Sequence, residues 1–200
     1  MLLVMITGIR SQPPQYKLQT FGTRDGLLSS KIFSLLQAKD RKLWIGTEFG
    51  ASVYDGYSFT NYQYSFSNEP IGRILCLTED SLKGIWMGGD KGLFYLKDNI
   101  LQQVMPNKNI SIAVEALLTD ADGNVWIGDI NALYKISTAD IKKMNGSKES
   151  KIALVPFANF TKRVFGLAAD DEQNIYIGSY DAVYKIPAGN KQYEVVWHNP

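Results

Sequence analysis

The sequence predicts an all-β protein made of β-propeller blades, each of four antiparallel strands, about four blades in number. Three observations predict it. A phrase recurs four times, as Leu43-Trp44-Ile45-Gly46, Ile85-Trp86-Met87-Gly88, Val125-Trp126-Ile127-Gly128 and Ile175-Tyr176-Ile177-Gly178. An apolar strand precedes every copy in the same register. Leu35, Leu77, Leu117 and Leu167 stand nine residues before the aromatic, and the β-branched Ile32, Ile74, Val114 and Val164 stand twelve before it. Two further short strands follow each copy, and the aromatics are spaced by 42, 40 and 50 residues. Four short strands per repeat of about 40 residues is the signature of a propeller blade.

The chain opens on Met1–Ile6, an apolar run followed by Gly8, Ser11 and Gln12. It reads as a clipped or mis-started secretory signal. It lacks a basic start and falls short of the roughly 7–15 apolar residues such a signal carries. A short disordered tail is the other reading of residues 1–14. An extra strand is expected over 15–22. The blades are then expected at about 30–63, 72–105, 112–157 and 162–197. Each inner strand (Ile32–Leu36, Ile74–Leu77, Val114–Leu118, Val164–Ala168) is apolar on both faces, as a strand crowded between neighbours would be.

A polar turn links inner strand to phrase in every blade. The turns include Lys39-Asp40-Arg41-Lys42, Asp80-Ser81-Leu82-Lys83-Gly84, Asp120-Ala121-Asp122-Gly123-Asn124 and Asp170-Asp171-Glu172-Gln173-Asn174. Asp, Asn and Gly tolerate left-handed backbone and bond their own turn, which a tight hairpin needs. Asp120, Asp122 and Gly123 hint at a calcium loop, but the further oxygen ligands and the distant Glu of that signature are missing. The aromatic of each phrase is expected to pack between blades, and the glycine after it to allow a close approach or a bend. Third strands are expected at Ala51–Tyr54, Leu93–Leu96, Ala132–Ile136 and Ala182–Ile186. Fourth strands are expected at Tyr57–Tyr62, Ile100–Met105, Ile152–Phe157 and Gln192–Trp197. The longer third spacing comes from a polar insertion, residues 137–150, expected as an exposed loop.

Composition narrows the function classes. Lys plus Arg number 21 and Asp plus Glu 20, a net charge of +1. Nucleic-acid binding would need a basic excess, so no nucleic-acid partner is expected. No stretch approaches the roughly 18 apolar residues of a membrane span. The single cysteine, Cys76, excludes an internal disulfide framework and reads as an inert buried thiol. The single histidine, His198, has no partner motif. No nucleophile elbow, phosphate loop or metal-ligand spacing occurs, so no catalytic residue, metal site or cofactor is expected.

One column is a candidate ligand site. The residue before each inner strand is Lys31, Arg73, Ala113 and Arg163. Equivalent positions in successive blades ring one end of the central channel. Three cations there would focus positive potential and could capture an anionic ligand such as an acidic sugar. The bland alternative is that loop-to-strand positions are exposed and often charged. Tyr57, Tyr62, Tyr64 and Phe66 form a second candidate, suited to stacking on sugars, or else cover blade one.

Blade one carries a resemblance. Gly26-Leu27-Leu28-Ser29-Ser30, Asp40, Leu43-Trp44-Ile45-Gly46-Thr47, Gly50, Tyr54-Asp55-Gly56 and Phe59 resemble the two-component-regulator propeller repeat. That repeat builds the periplasmic sensor regions of many Bacteroidetes histidine kinases, including hybrid two-component systems. The resemblance spans about 16–197. It weakens in blades three and four, where Asn131 and Asp181 replace Gly50 and Gly92, and Tyr176 replaces Trp. It implies a periplasmic location, an oligosaccharide or other small ligand, and signalling to a kinase that these residues do not contain. It also implies partners in further blades or sensor domains, so a partial propeller is expected, with an open strand edge on its last blade. A homodimer is left open. A protein-interaction scaffold and, less favoured, a propeller lyase are the alternative functions.

Overall fold

A computed structural model describes residues 18–106, 113–144, 151–152, 154 and 156–198. Residues 1–14, the expected signal-like segment, lie outside them. The described part of the expected extra strand, Leu18 to Gly22, is not in a strand and leads into a 3-10 turn at Thr23–Asp25.

Four sheets follow. Blade one is β1 (Ile32–Gln37), β2 (Leu43–Thr47), β3 (Gly50–Tyr54) and β4 (Phe59–Tyr62), antiparallel and in chain order. Blade two is β5 (Ile74–Glu79), β6 (Ile85–Gly89), β7 (Gly92–Lys97) and β8 (Ile100–Pro106). Blade three begins with β9 (Val114–Thr119), β10 (Val125–Asp129) and β11 (Ala132–Ile136). Then come a helix, α1 (Thr138–Met144), a short β12 (Lys151–Ile152) and β13 (Pro156–Asn159). Blade four is β14 (Val164–Ala169), β15 (Ile175–Ser179), β16 (Ala182–Ile186) and β17 (Glu194–His198). The fold is therefore a propeller of four blades. Inner strands touch in the series β1, β5, β9, β14, and among the described residues no comparable contact joins β14 to β1, so these blades do not close a ring.

Two expectations are corrected in blade three. The outer strand is β13, not Ile152–Phe157. Ile152 belongs to β12, which pairs in parallel with the edge of blade two, Lys151 opposite Met105. β13 pairs with β11, and Phe157 sets its ring edge-on to Trp126 at 4.9 Å. The insertion, residues 137–150, is not simply an exposed loop. Its first half is α1, which buries Ile141 and Met144. Their spacing of three puts both on one helix face. Ser137 caps that helix, its hydroxyl accepting from the Asp140 amide at 3.2 Å and donating to the Asp140 carboxylate at 2.6 Å.

The core lies between blades. Trp44, Ala51 and Val53 of blade one pack on Ile85, Met87 and Phe94 of blade two. Trp86, Leu93 and Tyr95 pack on Val125, Ile127 and Tyr134. Trp126 and Leu133 pack on Ile175, Ile177 and Ile186. Blades one to three thus present their aromatic to the next blade, and blades two to four present the aliphatic residues flanking theirs to the previous one. The phrase glycines explain the spacing. A Cβ on Gly88 would sit 2.3 Å from Val114 Cγ1, and one on Gly128 would sit 2.6 Å from Val164 Cγ1. Each β-branched residue of the next inner strand fills the hollow over the previous glycine. The inner strands are not uniformly buried. Ile74, Val114 and Val164 are fully buried, but Ile32 and Leu35 of β1 are 45% and 63% exposed.

Candidate functional site

The turn between the first and second strands is the same in all four blades. The amide at its start donates to the carbonyl four residues on: Ala38 to Lys42, Asp80 to Gly84, Asp120 to Asn124 and Asp170 to Asn174. A second bond returns from Arg41, Lys83, Gly123 and Gln173 to the same starting residues. These four adopt positive φ, 70°, 65°, 80° and 67°. Only Gly123 is free of a Cβ penalty there.

The acid opening the turn does more than shape it. Asp80, fully buried, accepts from the Leu82 and Gly84 amides at 2.8 Å each and from the indole N–H of Trp86 at 2.9 Å. Asp120 accepts from the Asn124 amide at 2.8 Å and from the Trp126 indole at 2.8 Å. Asp170 accepts from the Asn174 amide at 2.9 Å and from the Tyr176 hydroxyl at 3.1 Å. So a carboxylate six residues before the aromatic ties it to the turn in three blades. Blade one has Ala38 at that place. This column is visible in the sequence, where Asp80, Asp120 and Asp170 read only as turn formers.

The structure places a cleft of about 790 Å³ against Ala38, between blades one and two. Trp44, Val53, Tyr62, Ile85 and Leu96 give it an apolar floor, and Asp40, Lys42, Asp55, Glu79, Lys83, Asp98 and Asn99 stand around it. The Trp44 and Tyr62 rings stack at 5.5 Å and 26°. The matching cleft between blades two and three holds Ile141 and Met144 of α1, packed with Trp86, Tyr95 and Leu82. Thr138 anchors the helix there, its hydroxyl donating to the Asp122 carbonyl at 2.7 Å. A third cleft, about 610 Å³, lies between blades three and four against Trp126, Phe157, Ile175 and Ile186. Lys135 closes over Trp126 there, 4.6 Å above the ring.

The rim cations predicted from sequence are each met by an acid. Lys31 pairs with Glu48 at 3.0 Å, Arg73 with Asp90 at 3.1 Å and Arg163 with Glu115 at 3.5 Å. An anion bound there would compete with these partly exposed carboxylates. The aromatic cluster divides. Tyr62 belongs to the core beside Trp44, whereas Tyr57, Tyr64 and Phe66 are exposed. Burial, reinforced by the Glu115 charge, pushes the Cys76 thiol far above its usual range, so it stays protonated. His198 lies on exposed β17, opposite Ala182. Among the described residues no group of three His, Cys, Asp or Glu is placed to hold a metal ion, and no helix is long and apolar enough to cross a membrane.

An open propeller with capped aromatics between its blades is the class of protein these features define. Residues 26–49 match the family model described as two component regulator propeller. No curated protein sequence matches. Solved structures match by fold. The extracellular domain of a hybrid two component system from B. thetaiotaomicron is 21% identical with a TM-score of 0.63, covering 86% of this chain and 22% of that one. A second such domain from the same organism is 16% identical with a TM-score of 0.65, covering 88% and 23%. Virginiamycin B lyase from Staphylococcus aureus is 13% identical with a TM-score of 0.64, covering 88% and 58%. The chain thus spans less than a quarter of the length of the two extracellular domains.

Proposed function

We propose that this chain is a ligand-sensing propeller segment of an exported two-component sensor, detecting an oligosaccharide in the periplasm and signalling to a kinase elsewhere in the protein or its partners. The match of residues 26–49 to the two component regulator propeller repeat carries this reading, and the likeness to extracellular domains of hybrid two component systems supports it. The apolar clefts between blades offer the concave sites that small ligands favour. Binding across two blades would change how tightly they pack, and a packed interface is the element that can bias a neighbouring domain. The proposal treats the chain as non-catalytic. A thermal-shift titration with a panel of neutral and acidic oligosaccharides tests it: a saturable rise in Tm with one class is expected, and no shift with any member of the panel would overturn it.

A second reading, a protein-interaction scaffold, is favoured by the outer edge of blade four. Val195, Val196 and Trp197 of β17 are each more than half exposed. Such an edge can pair with another strand. Size-exclusion chromatography of Val196→Lys against the unchanged chain separates the readings, because only the scaffold reading requires the substitution to abolish an assembly.

A further inference from the structure

We infer that the cleft between blades one and two is a binding site for a carboxylate-bearing small molecule, whose acid group takes the place that Asp80, Asp120 and Asp170 fill in the sister blades. The argument begins with the turn. All four turns share both backbone bonds, and Ala38 stands where those acids stand. Trp44 occupies the same register as Trp86, paired with the third strand through Val53 as Trp86 is through Tyr95. Its ring shares the cleft and the core cluster with Ala38, and among the described residues no acceptor meets its indole N–H. Trp44 is only 6% exposed. Yet its Nε1 is not among the buried polar atoms lacking a partner, so the donor reaches solvent through the cleft. A donor met only by water is open to an acceptor carried in by a ligand.

Four carboxylates (Asp40, Asp55, Glu79 and Asp98) and three lysines (Lys42, Lys83 and Lys97) line the cleft, so what an incoming acid meets depends on which of these charges are already engaged. Asp40 is neutralised by Lys42 at 3.1 Å. Asp55 caps the Tyr57 and Ser58 amides at 2.9 and 2.8 Å, and Glu79 accepts the Lys39 amide at 2.7 Å. Lys83, on the rim, has no ion pair among the described residues. It is placed to offset a ligand charge. The three sister carboxylates show which group satisfies this donor, and the α1 side chains in the next cleft show that such a space can hold an apolar body. The acid could belong to a free organic acid or to a sugar acid. The inference holds whether or not the chain signals to a kinase.

Indole resonances test this in the chain as it stands. The Trp44 indole N–H signal, assigned by its loss in Trp44→Phe, is followed while acetate, glucuronate or glucose is added at constant ionic strength. A saturable shift with acetate and glucuronate, absent with glucose, is expected. A shift with glucuronate alone assigns the site to a sugar acid and also supports it. An equal shift with glucose, or none with any of the three, overturns it. Ala38→Asp supplies the missing acid internally. It should abolish the shift, slow exchange of the Trp44 indole proton about tenfold or more and raise Tm. Should that variant fail to fold, Ala38→Leu, which fills the space without an acceptor, must likewise abolish the shift, and a persisting shift in either variant overturns the inference.

Discussion

Blades two and four are built from the same phrase, yet they differ in how much of it is covered. Trp86 is fully buried, while its counterpart Tyr176 is half-buried. The hollow over Gly88 is filled by Val114, whereas the nearest atoms to a Cβ on Gly178 belong to blade four itself, Gly166 and Phe165 at 3.7 Å. Among the described residues blade two has a neighbour on each face and blade four has one. A blade's stability is thus mostly its neighbour's contribution, as in other repeat proteins where interface terms add to intrinsic ones.

The comparison is sharpest at the aromatic. Trp86→Ala should cost about 4 kcal/mol in urea unfolding, and Tyr176→Ala about 1 kcal/mol. Equal losses would mean that the open face of blade four is covered in solution. The acid beneath comes next. Asp80→Ala strands two amides and an indole N–H in a buried place and should cost about 3 kcal/mol. Asp170→Ala, nearer solvent, should cost clearly less. The glycines give a smaller effect with the same logic. Gly88→Ala drives a methyl into Val114 and Cys76 and should cost about 2 kcal/mol, while Gly178→Ala should change stability by less than about 0.5 kcal/mol.

The smallest effect is a pH slope. The Asn174 side chain bonds to Asp170 and, with the Asn174 amide and the Tyr176 hydroxyl, holds its carboxyl below the ordinary 3.8. A depressed carboxylate stabilises the fold fully above the unfolded value and loses that contribution as pH falls through the lower folded value. Blade four should therefore loosen as pH drops below about 3.8, seen as faster exchange of the β15 amides. In Asp170→Asn that part of the acid dependence should vanish.

Much of this was legible in the sequence. The period, the strand pairs and the inter-blade place of Trp44, Trp86 and Trp126 follow from columns that repeat, because packing between like blades imposes like residues. The insertion was legible only in part. Ser137 and Asp140 carry a helix-cap signal, and Ile141 and Met144 share a helical face, yet nothing local says that this face enters the groove beside Trp86. The rim column of Lys31, Arg73 and Arg163 stood out as charge, but Glu48, Asp90 and Glu115 became its partners only through the fold. The cleft at Ala38 was hidden because its meaning depends on what a distant Trp lacks.

The sequence by itself determined the blade: strand order, turn geometry and core face, all set by local periodicity and turn chemistry. Tertiary structure decided where space remains. A cleft exists between blades one and two because blade two joins β7 to β8 through a tight turn, and it is filled between blades two and three because α1 folds back into it. Whether a donor such as the Trp44 indole N–H finds an acceptor depends on atoms brought together across blades, and only the packed arrangement of blades fixes that.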